Sequence, residues 1–86
     1  MSPTPIRLSR HAAAQCIERG ASATEVQDAI EHGTREPAKQ GRWMYRLNFP
    51  YHAMWQDSFY AVKQVAAVVA ESAEEFVVVT VYTFYF

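Results

Sequence analysis

A chain of 86 residues, half of them hydrophobic and only three of them glycine, is long enough for one packed core and argues against disorder. Its formal net charge of −1 excludes a global electrostatic signal for nucleic acid or membrane. Cys16 is the only cysteine, so no internal disulfide can form, and a reducing compartment is the simpler setting.

The opening MSPTPIR holds no apolar run that would serve as a signal peptide, and Pro3 and Pro5 keep it extended. Ser9 is placed to cap a first helix and Gly20 to end it. Leu8, Ala12 and Cys16 fall on one face of that helix, with Ala13 and Ile17 widening it. A second helix is signalled more strongly. Ser22-Ala-Thr-Glu25 is a capping box, and Ala21 and Val26 occupy the positions of a weak hydrophobic staple. Val26, Ala29 and Ile30 make its buried stripe, and Gly33 closes it. Glu36-Pro37 and Gln40-Gly41 mark a polar loop.

From Arg42 the period changes to two. Trp43, Tyr45 and Leu47 point one way; Arg42, Met44 and Arg46 point the other. Pro50 ends or kinks this strand, and the aromatic stretch from Tyr51 to Tyr60 has room for another. Val62 to Ala70 fits both a helical and a strand period. A turn signal at Ser72-Ala-Glu-Glu75 and a β-rich run directly after it favour a strand. Phe76 to Phe86, FVVVTVYTFYF, is the strongest strand, apolar on both faces, and is expected to be central and covered. It is too short to span a bilayer, so a soluble, cytoplasmic protein without a membrane partner is expected. Helix, helix, then strands gives a single α+β domain over residues 1–86: two N-terminal helices packed on an antiparallel sheet of about four strands.

Charge is uneven along the chain. Between residues 35 and 56, Arg35, Lys39, Arg42 and Arg46 face only Glu36; from residue 57 onward Lys63 faces Asp57, Glu71, Glu74 and Glu75. The basic middle suits a polyanionic partner. Lys39, Arg42 and Arg46, with Trp43 and Tyr45 interleaved, are candidates to track a phosphate backbone while an aromatic ring stacks on a base. The same alternation also describes an ordinary half-buried strand with a solvated charged face.

His11-Ala12, Arg19-Gly20, Ser22, Glu25-Val26, Gly33 and the late Val79-Thr-Val-Tyr82 resemble a family of small bacterial domains of unknown function. That family is similar in turn to ribonucleases of the RelE, barnase and colicin type. The resemblance covers most of the chain and is tighter in the helical half. It implies toxin-like contexts, with RNA as ligand and a protein partner such as an antitoxin. Carried over by position, His11, Arg19, Thr80 and Tyr82 correspond to the polar positions that such folds place at a shared cleft. The chain departs from the pattern at Gln15, where the family has arginine, at Cys16, where it has methionine, and at Ala21, where it has isoleucine. The first departure removes a cation from the expected cleft.

Metal-free RNA cleavage needs a base for the 2′-hydroxyl, cations for the crowded phosphate and an acid for the leaving oxygen. His11 is the candidate base or acid, Arg19 the candidate phosphate clamp, and Thr80 and Tyr82 share a strand face as donors. Each also has a plain structural reading: a helix-orienting histidine, a cation at a helix C-terminus and two common β-formers. His11, His32 and His52 are too widely spaced for a zinc pattern, so no metal is expected; His32 reads as a helix C-terminal cation. Cys16 reads as core. No phosphate-binding glycine loop, carboxylate pair or nucleophile elbow is present, and no cofactor is expected. The alternative function is a non-catalytic protein-interaction module on the same fold, with Tyr51, Trp55, Phe59 and Tyr60 as its contact patch. Neither reading fixes an oligomeric state.

Overall fold

In the computed structural model, which describes residues 4–86, the caps expected at Ser9, Gly20 and Ser22–Glu25 form; Pro3 lies outside the described residues. Ser9 is extended, and its hydroxyl accepts from the Ala12 N–H at 3.1 Å, starting α1 (Arg10–Arg19). Gly20 ends α1 at φ +76°, a left-handed conformation that costs glycine nothing. The capping box forms: Glu25 N–H donates to Ser22 Oγ at 3.0 Å and Ser22 N–H to Glu25 Oε1 at 2.9 Å, starting α2 (Ala23–His32).

The sheet is mixed and has five strands, β1 (Ile6–Leu8), β2 (Thr34–Pro37), β3 (Trp43–Trp55), β4 (Ser58–Glu71) and β5 (Phe76–Tyr85), in the order β1-β5-β4-β3-β2. β2 to β5 form an antiparallel meander, and β1 lies parallel to β5 over three pairs ending at Leu8 and Val78. The expected antiparallel sheet of about four strands is therefore one strand short and wrong in sense at one edge. β2 reads as loop because all four of its residues are exposed and it carries a proline, which an edge strand tolerates.

The segment 62–70 is strand, and it is the central one. Val65, Ala66, Ala67, Val68 and Val69 are all buried in succession: the helices cover Val65, Ala67 and Val69, and the side chains of the flanking strands shield Ala66 and Val68 on the other face. β5, expected to be central and covered, has β4 on one side along its length and β1 only as far as Val78. Its Tyr82 and Phe84 are 39% and 45% exposed. Pro50 does not end β3. Two residues on, His52 takes φ +47° and a bulge between Pro50 and Ala53 re-aims the outer hairpin, which closes on Gln56 and Asp57 at φ +48° and +71° as a type I′ turn.

Both helices cover one face of the sheet, α1 over β5 and β1, α2 over β4 and β3. Ala12 and Cys16 of α1 and Val26 and Ala29 of α2 join Tyr45, Val65, Ala67, Val69, Val78 and Val81 in one core. Burial pushes the Cys16 thiol pKa up, with the Glu25 charge adding to it, as befits a core residue. Ala13 and Ile17 do not widen the buried stripe of α1: Ala13 is exposed and Ile17 is 85% exposed. The stripe runs instead through Ala12, Gln15, Cys16 and the partly buried Arg19.

Two polar clusters tie the elements together. At the C-terminal end of α1, the Arg19 carbonyl accepts from Thr83 Oγ1 at 2.8 Å and Tyr85 Oη at 2.7 Å, and the Gly20 carbonyl accepts from Lys63 Nζ at 2.8 Å. Lys63 is itself buried and paired with Glu25 at 2.8 Å, so its charge is compensated. Across β2, β3 and β4, Arg35 donates to Tyr45 Oη at 3.0 Å and Glu71 Oε1 at 2.8 Å, and Tyr45 donates to Glu71. The Arg35 guanidinium lies 3.4 Å over the Trp43 ring.

Two outcomes follow from these contacts. A Cβ on Gly20 would sit 2.6 Å from Tyr85 Oη and 2.8 Å from the Trp55 ring, in a left-handed backbone that alone costs another residue about 1–2 kcal/mol. Gly20→Ala is expected to lower the urea midpoint by at least that equivalent; a midpoint matching the wild type would show that the turn is not clamped. Glu71 is raised by desolvation, but hydrogen bonds from Arg35 and Tyr45 and the Arg35 charge outweigh it, holding its pKa below the ordinary carboxylate value. Its stabilising contribution is thus full above that ordinary value and is lost as the pH falls through the lowered one. The stability gap between wild type and Glu71→Gln is expected at neutral pH and should close in acid; a gap independent of pH would remove the ion-pair account.

Candidate functional site

The face of the sheet opposite the helices is uncovered, and the strand register fills it in rows. Met44, Val68 and Thr80 form one row across β3, β4 and β5; Arg46, Ala66 and Tyr82 form the next; Asn48, Gln64 and Phe84 the third. In two of these rows the central residue, Val68 or Ala66, is small, and Met44, Arg46 and Tyr82 rise beside it. The result is a trough rather than a flat sheet.

One end of the trough is a depression of about 560 Å³ lined by Lys39, Arg42, Arg46, Thr80 and Tyr82 over a floor of Met44 and Val68. The alternation from Arg42 therefore aims side chains as the sequence indicates, with Trp43, Leu47 and Tyr45 packed on the helix side. Thr80 and Tyr82 reach the same face from β5. Lys39 and Arg42 are held at the rim by a single 3₁₀ turn, Lys39–Gly41, in which Gln40 and Gly41 both take positive φ. Ala38 N–H donates to the Arg42 carbonyl at 2.8 Å and closes this turn.

The cations differ in freedom. Arg46 is fixed: Nε donates to Glu36 Oε1 at 2.5 Å, Nη1 to Gln64 Oε1 at 3.1 Å, and the guanidinium lies 5.8 Å from the Phe84 ring centre. Gln64 in turn donates to Asn48 Oδ1 at 2.8 Å. Glu36, the one carboxylate on the depression, is thus already engaged. Lys39 and Arg42 make no ion pair among the described residues. Two uncommitted cations at the rim and one preset cation in the wall are suited to a chain of phosphates.

The remaining expected site residues lie elsewhere. His11 is exposed on α1 and does not line the depression. Arg19 is partly buried; its Nη1 donates to the Val81 carbonyl at 2.7 Å and its guanidinium lies 5.3 Å from the Tyr82 ring centre. Sequence reasoning places His11, Arg19, Thr80 and Tyr82 together, but only Thr80 and Tyr82 share a cavity with Lys39, Arg42 and Arg46.

Gln15 has a role that the sequence does not announce. It is buried, and its Oε1 accepts from the Val81 N–H at 2.8 Å. Gln15 and Arg19 together satisfy both polar groups of Val81 on the edge of β5 that β1 leaves open. An arginine at position 15 would have no acceptor to offer. The residue that stands for a missing cation in the sequence is the acceptor that finishes a sheet edge.

Three rings of the aromatic patch expected as a contact surface are half-buried and pack around Tyr85. Trp55 stacks on Tyr85 at 4.9 Å, and Tyr51 and Tyr60 pack against the same ring at 5.3 and 5.6 Å. Phe59 stands apart from this cluster and is 62% exposed. Among the described residues, Asp28, Glu31 and His32 on α2 bring possible metal-ligand atoms within 4.8 Å of one another. All three belong to one helix end, where His32 also lies 3.8 Å from Glu31, and nothing else points to an ion there. No helix is long and apolar enough to cross a membrane. Comparison with family models, with curated proteins and with solved structures gives no match to this chain.

Removing the acceptor of Gln15 leaves a buried N–H unpaired, a loss of about 1–3 kcal/mol. Gln15→Met, similar in shape but unable to accept well, is expected to lower the unfolding midpoint accordingly and to speed hydrogen exchange at the Val81 amide. Unchanged exchange at Val81 would mean that the edge is satisfied by another group.

Proposed function

We propose that this chain is a single-stranded-RNA-binding domain, related to the ribonuclease toxins that its sequence resembles, and that it holds RNA on the uncovered face of its sheet. The supporting observation is the meeting of Lys39, Arg42 and Arg46 with Thr80 and Tyr82 in one depression, beside the exposed ring of Phe84. Cations in a groove bind the backbone, hydroxyls add polar contacts, and exposed rings stack on unpaired bases whatever their identity. A duplex would hide those base faces. The net charge of −1 does not oppose this, because phosphate binding depends on local rather than total charge.

Binding is favoured over cleavage. The depression holds no histidine, and its one carboxylate is committed to Arg46. His11, the candidate base, sits on α1 away from the cations that would stabilise the phosphate. Where the chain acts inside a toxin-like pair, its role on this reading is to hold RNA, and an antitoxin-like protein would compete for the same basic face.

The test is fluorescence anisotropy of a labelled single-stranded RNA across a salt series. Affinity is expected to fall steeply with salt. Lys39→Ala with Arg42→Ala should weaken binding for every sequence alike and flatten the log–log slope by roughly 0.7 for each phosphate left without its cation. RNA recovered intact is the expected product. Salt-independent binding, or none, overturns the reading; cleavage that disappears in His11→Ala would replace it with catalysis.

A further inference from the structure

A second cavity of about 260 Å³ lies on the other side of Tyr82, between the C-terminal end of α1 and the outer β3–β4 hairpin. Glu18, Arg19, Trp55, Tyr82 and Tyr85 line it. Tyr82 is the only residue that lines both this cavity and the basic depression, so its ring forms the ridge between them. The two cavities differ in chemistry. The depression carries three cations against one engaged carboxylate. The second cavity carries one cation, one carboxylate and three aromatic rings.

That composition does not suit a phosphate, because Glu18 would repel it. It suits a flat, uncharged, polar ring. Tyr85 stacks on the Trp55 indole at 4.9 Å with the planes 13° apart, and both rings line the cavity. Around that aromatic floor, Glu18 can accept from a base N–H, and Arg19 can donate through the N–H groups that the Val81 carbonyl does not use. The position is also built to stay put. Arg19 is bonded to Val81, and Trp55 and Tyr85 pack against Gly20, whose carbonyl is bound by Lys63. A preset pocket loses little freedom on binding.

We infer that this cavity is a nucleobase subsite, which takes one unpaired base from an RNA strand whose phosphates lie in the neighbouring depression, with the strand crossing β5 at Tyr82. This rests on the RNA-binding reading above and adds the place where a base, rather than the backbone, is gripped.

The experiment compares two ligands of equal length and charge: a single-stranded oligoribonucleotide, and the same ribose-phosphate chain made abasic. The base-bearing strand is expected to bind about ten-fold more tightly, the scale of one base stacked on an aromatic side chain. Trp55→Leu should cut that ratio several-fold, leaving only the part that stacking on Phe84 supplies. Should Trp55→Leu fail to fold, the wild-type protein still decides the matter by NMR: the Trp55 indole N–H resonance should shift with the base-bearing strand and stay fixed with the abasic one. Equal affinity for the two strands, with a fixed Trp55 resonance, overturns the subsite while leaving phosphate binding in place. Binding of neither strand overturns the RNA reading and the subsite together.

Discussion

The C-terminal end of α1 is the constraint on which the rest of the molecule depends. A helix leaves its last carbonyls without partners, and water usually supplies them. Here the sheet does: Thr83 and Tyr85 donate to the Arg19 carbonyl, and Lys63 to that of Gly20. Lys63 also reaches Glu25, the residue that completes the cap of α2. One lysine on the central strand therefore fixes the end of one helix and the start of the next. Both helices are pinned to the same face of the sheet, and the opposite face is left open as a consequence.

This arrangement explains why the helical half is legible in the sequence and parts of the sheet are not. Caps are local: Ser9, Gly20 and the Ser22–Glu25 box declare themselves within a few residues. The alternation from Arg42 is local too, and it aims Tyr45 inward and Met44 and Arg46 outward as observed. β1 and β2 are not local. Three residues of β1 are strand only because Val78 offers an edge, and Thr34–Pro37 is strand only because β3 lies beside it. Strand order is also a tertiary property. The most apolar run, Phe76–Phe86, suggests a centre, but the burial of both faces belongs to the small residues of β4.

The candidate site divides in the same way. Arg42 and Arg46 in β3 and its approach, and Thr80 and Tyr82 in β5, can be assigned to a strand face from period two alone. That the two faces coincide across β4 depends on register, which no local pattern states. Gln15 and Arg19 are legible only as polar residues one turn apart on α1. Their use, to satisfy Val81, follows from β1 stopping at Leu8. The packing of Tyr51, Trp55 and Tyr60 around Tyr85 is not legible in the sequence, because nothing there shows the bulge after Pro50 that brings these rings together.

The uncovered face constrains what it can hold. A bare sheet face normally invites either a helix or another copy of the sheet. On this face an apolar layer would meet charge. Ala66 is fully buried even without a covering layer, because Arg46 and Tyr82 flank it in its row. The apolar floor is thus narrow and walled by charge, with Arg46 pinned by Glu36 and Gln64 where a packing helix would need it to move. Burying that wall under an apolar partner would strand a guanidinium and its carboxylate in a low dielectric. Whatever covers this face must keep Arg46 and Glu36 paired or replace that pairing. Arg46 and Tyr82, the long residues that flank Ala66, therefore both shield the core from solvent and set the polarity of the surface above it.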